Sequence, residues 1–260
     1  MSDAPHNLLP MTQTDSNRFI AYLAIIATPF ALGAFLLSWA PSSQYANENP
    51  SRDGYVPPRS IQSLVDRTQE STVTVWCEPA KGTGTQGTAF AVELATDISK
   101  DFPTTLITNH HVIKSCIGES NKLTVALPYK DPVEAVIVKW DEDNDLAVLA
   151  TQLELPVLHF SESVPYPGYW AMALGSADGY EGSVSFGNVI NSNASEILMS
   201  NSISHGSSGG PLVDNEGFVI GVTSWGSEVE QYNGAKSLDA FCAKILQCQF
   251  SDGKTWWDYS

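Results

Sequence analysis

Basic residues are scarce in this chain: 13 Lys and Arg stand against 29 Asp and Glu in 260 residues, a formal net charge of -16. A polyanion of that kind is repelled by phosphate backbones and by anionic lipid, which opposes nucleic-acid binding and electrostatic adhesion to membranes. Cysteine is sparse too. Cys77, Cys116, Cys242 and Cys248 include no close pair with ligand-like spacing, so no metal site is expected. No phosphate loop and no internal repeat occur, and no cofactor is expected. Histidine is limited to His6, His110, His111, His159 and His205, which narrows the search for a general base to five positions.

Charge is absent altogether from one long stretch. Phe19 to Trp39 gives 21 uncharged residues, and at about 1.5 Å per residue a helix of that length spans a bilayer core. Pro29 and Gly33 are tolerable within such a helix. The run is longer than the apolar core of a cleaved signal peptide, and Pro41 follows Ser38-Trp39-Ala40 directly. A retained single transmembrane anchor over residues 19–40 is therefore expected, after a polar tail over 1–18. Residues 41–58, rich in Pro, Ser and Asn, read as an extended tether. Arg18 on one side and Arg52 and Arg59 on the other leave the positive-inside rule without a vote on orientation.

What the chain does contain is Gly206-Ser207-Ser208-Gly209-Gly210-Pro211-Leu212. A serine between glycines in a tight turn can present its hydroxyl outward while backbone N–H groups converge beside it, as acyl transfer requires. The same stretch also reads as a plain Ser/Gly surface loop. A serine needs a base and the base needs an orienting carboxylate. His110 and His111 follow the strand-like run Thr105 to Asn109, and Asp145 opens the apolar run Leu146 to Ala150. Adjacent residues at a strand end point to opposite sides, so one histidine only can face a cleft. Asp141, Glu142 and Asp143 are rivals to Asp145, but Asp145 alone abuts the apolar strand, where burial can hold one imidazole tautomer.

Taken in order, T-N-H-H-V-I, D-L-A-V-L and G-S-S-G-G-P-L resemble the signature of chymotrypsin-like serine proteases, most closely their bacterial HtrA-type branch. The resemblance runs over roughly residues 60–250 and includes Gly87 to Val92, Ala173 to Ser176 and Gly182 to Ile190. It implies a serine endopeptidase acting on proteins or peptides, with Ser208 as nucleophile, His111 as general base and Asp145 as its orienting partner. The N–H groups of Gly206 and Ser208 would form the oxyanion hole. His111, directly before Val112, is the matching histidine. Ser202 would sit at the floor of the primary specificity pocket, with Ser224, Trp225 and Gly226 along the substrate. An uncharged floor points to small or medium uncharged side chains. Ser207 stands where proteases activated by a new N-terminus use an aspartate, so no activation of that kind is expected. No segment is expected to form the carboxy-terminal PDZ domain that many HtrA-type proteases carry. A rival reading keeps the fold without catalysis, as a membrane-tethered binding protein.

The fold expected is all-β. Short strand-like runs bounded by Gly, Pro, Asn or Asp fall at 72–77, 87–94, 104–108, 122–127, 133–140, 145–150, 168–174, 182–190, 195–200 and 217–225. A short helix is expected from Ser60 to Gln69 and an amphipathic one from Ser237 to Gln249. The resemblance sharpens this to two six-stranded antiparallel barrels in a protease domain over residues 59–260, with the cleft between them. Four cysteines allow three pairings. The resemblance implies a bridge from Cys77 to Cys116, tying down the histidine loop, which would leave Cys242 to Cys248. Six residues of ideal helix is about 9 Å, too long for a disulfide, so the helix would have to end before Cys248. Bridges place the domain in an oxidising, extracytoplasmic compartment. The sequence carries no signal for an oligomeric state.

Overall fold

A computed structural model describes residues 53–93, 102–118, 121–162, 164–227, 229–242 and 245. After helix α1 (Ile61–Glu70) come β1 (Thr72–Glu78), β2 (Thr85–Val92) and β3 (Thr104–Thr108). Helix α2 (His110–Ile113) then runs into a 3-10 turn, Lys114–Cys116, before β4 (Lys122–Ala126), β5 (Val133–Asp141) and β6 (Leu146–Thr151). These six strands close a barrel in the order β1-β2-β3-β6-β5-β4. The second barrel consists of β7 (Trp170–Gly175), β8 (Ser183–Ser192), β9 (Glu196–Met199), β10 (Pro211–Val213), β11 (Val219–Gly226) and β12 (Asn233–Ser237). It closes as β10-β11-β12-β9-β8-β7, and all pairings in both barrels are antiparallel. Helix α3 (Leu238–Phe241) follows.

The alternation of side chains along a strand explains why two cores meet in a third. In β2, Ala89 and Ala91 fill the first barrel, while Phe90 and Val92 point outward into a shared cluster. In β6, Ala147 and Leu149 face in, and Leu146 and Val148 face the same cluster. Met172, Val213, Val219 and Val222 come to it from the second barrel, Leu64 from α1 and Phe241 from α3. Both faces of β6 are thus buried, which is why residues 146–150 read as an unbroken apolar run rather than an alternating one. Ala171, Ala173, Ile197, Met199 and Leu212 fill the second barrel.

Ten of the twelve strands lie where short apolar runs predict them. The two others are β10, three residues long, and β12, whose Asn-Gly-Ala-Lys-Ser has no apolar pattern. Pairing with β11 on one edge and β9 on the other makes β12 a strand, a case of tertiary context overriding propensity. Ser60 precedes α1, but its side chain makes no capping hydrogen bond. Residues 53–58 do not behave as a tether. Trp170 N–H donates to the Gly54 carbonyl at 2.7 Å, and Asn215 Nδ2 donates to the carbonyls of Asp53 and Val56.

Among the described residues no helix is long and apolar enough to cross a membrane. The tail 1–18, the uncharged run 19–39 and most of the proposed tether lie outside them. Cys77 and Cys116 are bridged, 39 residues apart in sequence. Cys242 is also disulfide-bonded. Helix α3 is capped by Ser237 Oγ, which accepts from Ala240 N–H at 3.3 Å. Cys248 and most of the helix expected after Cys242 lie outside the described residues.

Candidate active site

The ends of β3 and β6 bring the histidine and the aspartate together. His110 and His111 do not end a strand, as the sequence suggested, but form the first turn of α2. A rotation of about 100° per residue therefore separates them. His110 is buried, and His111 turns to Asp145. Asp145 takes a left-handed conformation with φ 53°, which aspartate tolerates better than most residues. Asn109 Nδ2 donates to its carbonyl at 2.7 Å and so fastens the turn from behind. The strained residue and its clamp aim the carboxylate at α2.

Every hydrogen bond to that carboxylate comes from a donor. His111 N–H donates to Oδ1 at 2.9 Å, His111 Nδ1 lies 2.8 Å from Oδ2, and Ser224 Oγ donates to Oδ2 at 2.9 Å. Burial works to raise the Asp145 pKa, but the bonds from His111 and Ser224 and the charge of the imidazole outweigh it and hold the group below the usual aspartate range. In the neutral imidazole an ionised carboxylate keeps the ring hydrogen on Nδ1, so Nε2 is the nitrogen with the free lone pair. The β-bulge in β11 between Thr223 and Trp225 is what turns the Ser224 hydroxyl to Asp145.

Ser208 lies across the cleft. Its hydroxyl donates to the Ser224 carbonyl at 3.0 Å, and among the described residues it has no hydrogen bond to His111. The neighbouring backbone is arranged with its carbonyls turned away. Asp178 N–H donates to the His205 carbonyl at 2.6 Å, and Thr223 Oγ1 donates to the Ser207 carbonyl at 2.7 Å. In a trans peptide the C=O and N–H point in opposite directions, so anchoring these two carbonyls aims the N–H groups of Gly206 and Ser208 the other way. Among the described residues neither N–H has a hydrogen-bond acceptor within the protein. Gly206 requires its missing side chain: φ is 93°, and a Cβ there would fall 2.2 Å from the Ser176 carbonyl oxygen. A cavity of about 340 Å³ opens beside these groups, walled by Gln86, His111, Asp178, His205 and Ser208 among others.

The residues expected along the substrate divide into two places. Ser202 lines a cavity of about 170 Å³ with Ile203, Ser207 and Thr223, running back to β7 and β8. Ser224 faces Asp145, and the Trp225 indole lies across Gly234, edge-on to Tyr232 at 6.1 Å. Gly226 lies against Asn233, where an added Cβ would come 3.0 Å from Oδ1, with Ile203 Cγ1 further off at 3.8 Å. Ile203 instead lines the cavity that holds Ser202, a position that apolar content alone does not single out. Ser207 is buried, and its Oγ accepts from Ser204 N–H at 3.3 Å. His159 and His205 are both exposed, and His205 borders the cleft. In the sequence Asn109 is only the residue before a histidine pair, and the fold alone shows what its amide holds. Among the described residues no group of side chains could hold a metal ion.

Comparison with known proteins bears on the fold and the family. A probable periplasmic serine endoprotease, DegP-like, from Hahella chejuensis is 34% identical over 129 residues, covering 46% of this chain and 27% of that protein. A protein of the same description from Chlamydia trachomatis is 33% identical over 130 residues, covering 46% and 25%. The chain thus spans about a quarter of the length of these relatives. The crystal structure of a serine endoprotease from Yersinia pestis superposes with a TM-score of 0.61 at 26% identity, over 74% of this chain and 67% of that one. The active form of the Rv3671c protease from M. tuberculosis, 22% identical, shares the fold with a TM-score of 0.60 over 73% and 86%. Residues 65–222 match the model of the trypsin-like peptidase domain, more than half of the chain, and the chain belongs to that family.

Proposed function

We propose that this protein is a serine endopeptidase in which Ser208 attacks a peptide carbonyl, His111 takes and returns the proton, and Asp145 orients the imidazole. The observation that carries the reading is the pairing of an imidazole locked by an ionised carboxylate with two unoccupied N–H groups beside Ser208. The Ser208 hydroxyl leaves the Ser224 carbonyl by rotation about χ1 and donates to His111 Nε2 as substrate enters. Attack forms the new C–O bond, and the oxyanion accepts from Gly206 and Ser208 N–H. His111 then protonates the departing amine, and water, deprotonated by the same imidazole, releases the acyl group. Ser202 and Ile203 limit the primary pocket to small or medium uncharged side chains.

The same proposal makes residues 19–40 a membrane anchor and puts the protease domain on the extracytoplasmic side. The uncharged run and the bridge between Cys77 and Cys116 support that placement, as does the word periplasmic in the names of the DegP-like relatives. Labelling of the full-length chain in detergent with a fluorophosphonate probe tests the function. Native wild type should label, and Ser208→Ala and denatured wild type should not. A folded wild type that resists the probe would favour the binding-protein reading, consistent with a serine hydroxyl bonded to Ser224 rather than to His111.

A further inference from the structure

Thr88 lies at the middle of β2, in the first barrel, fully buried and at a distance in sequence from every residue of the proposed mechanism. Its polar atoms nonetheless reach the loop that carries the two oxyanion N–H groups. Thr88 Oγ1 donates to the Gly206 carbonyl at 2.7 Å, and Thr88 N–H donates to the Ser208 carbonyl at 2.8 Å. The same Oγ1 accepts from Ser176 N–H at 3.0 Å, and the Thr88 carbonyl accepts from Thr108 Oγ1 at 2.7 Å. Behind Ser176, its Oγ lies 2.6 Å from Thr74 Oγ1 on β1. Two glycines allow this closeness: a Cβ at Gly209 would fall 2.1 Å from the Thr88 carbonyl oxygen, and one at Gly175 3.0 Å from Thr88 Oγ1.

Four successive carbonyls, from His205 to Ser208, are therefore each anchored by a donor. Two of the four are held by Thr88, and these alternate with the two held from within the second barrel by Asp178 and Thr223. We infer that Thr88 is a positioning residue: its hydroxyl, backed by Ser176 and Thr74, holds the oxyanion loop in its reactive orientation across the barrel interface. The inference rests on the proposed peptidase activity. Without the hydroxyl the Gly206 carbonyl and the Ser176 N–H are both buried without a partner. The 206–207 peptide is then free to turn about the Gly206 Cα that it shares with the 205–206 peptide, so the Gly206 N–H, anchored through the His205 carbonyl on one side, loses the support on its other side.

The test is the second-order rate of fluorophosphonate labelling in wild type, Thr88→Val and Thr88→Ser, each full-length and checked for thermal unfolding. Loss of one oxyanion donor costs about 10²–10³ in rate, so Thr88→Val, which keeps the shape and loses the hydroxyl, should label at least about tenfold more slowly. Thr88→Ser should recover to within about threefold of wild type. The low-field proton resonance of the bond between His111 and Asp145 should be the same in all three, since Thr88 does not touch that pair. A general loosening of the fold would instead weaken that resonance along with the rate. Thr74→Val leaves Thr88 in place and should slow labelling by about threefold to tenfold. It carries the test if Thr88→Val does not fold, and wild-type labelling by it would then overturn the inference. Folded Thr88→Val labelling within threefold of a reactive wild type, or Thr88→Ser as slow as Thr88→Val, overturns it as well. An unreactive wild type overturns the peptidase reading, and this inference with it.

Discussion

Replacing Asp145 by Asn tests the proposed chemistry at the point where the geometry leaves least freedom. The carboxylate meets three donors and no acceptor: His111 N–H at Oδ1, with His111 Nδ1 and Ser224 Oγ at Oδ2. An asparagine offers one oxygen and one NH₂. The NH₂ cannot face the backbone N–H of His111, which has no lone pair to give, so the oxygen must take the Oδ1 place and the NH₂ the Oδ2 place. Ser224 Oγ adapts by accepting. His111 Nδ1 must then accept as well, which moves the ring hydrogen to Nε2, the atom required to take the proton of Ser208. The fold loses no contact, yet the base is in the wrong tautomer. That exchange is expected to lower turnover by about 10⁴, or about 5.4 kcal/mol in the barrier. Fluorophosphonate labelling and turnover of fluorescently labelled casein, with circular dichroism as the check on folding, measure it. Activity within tenfold of wild type in a folded variant would refute the assignment of Asp145.

Four further outcomes follow from other parts of the structure. The stability contributed by ionised Asp145 is present above the ordinary aspartate pKa of about 3.8 and lost as pH falls through its lowered value, so the difference in unfolding midpoint between wild type and Asp145→Asn should close in acid. Asp214 has the opposite sign: burial, and after it the charge of Glu216, raise its pKa against three bonds from the N–H groups of Phe218, Glu216 and Gly217. Asp214→Asn keeps an acceptor for those donors and should raise the midpoint at pH 7, with the gain shrinking as pH falls toward 3.8. The bridge from Cys77 to Cys116 spans 39 residues, and removing it by paired Cys→Ala substitution should cost up to about 4 kcal/mol, roughly 8–16 °C in calorimetry. Ile203→Ala should enlarge the cavity it lines with Ser202 and extend cleavage to larger apolar residues in a peptide-library digest; an unchanged cleavage profile would remove Ile203 from the pocket.

Much of this was written locally in the chain. The apolar runs Ala89–Val92 of β2 and Leu146–Ala150 of β6 announce strands buried on both faces, because side-chain direction along a strand depends on backbone geometry alone. Gly206 is legible for a similar reason, since a left-handed turn pressed against a carbonyl admits no other residue. Ser208, His111 and Asp145 could be named from three short motifs. Which of two adjacent histidines met the aspartate was decided by a helical turn, where the sequence suggested a strand end.

Other features depend on atoms far apart in sequence and carry no local signal. The strand β12 exists because two neighbours offer it hydrogen bonds, and Ser224 faces Asp145 because a bulge in β11 turns it there. Asn109 and Thr88 are ordinary polar residues in the sequence, yet one fastens the Asp145 turn and the other bonds the Gly206 carbonyl from the opposite barrel. The sequence by itself determined the chemistry available, because residue types and their order are local. Tertiary structure alone decided the orientation of that chemistry, because a buried hydrogen bond has a direction only once both partners are in place.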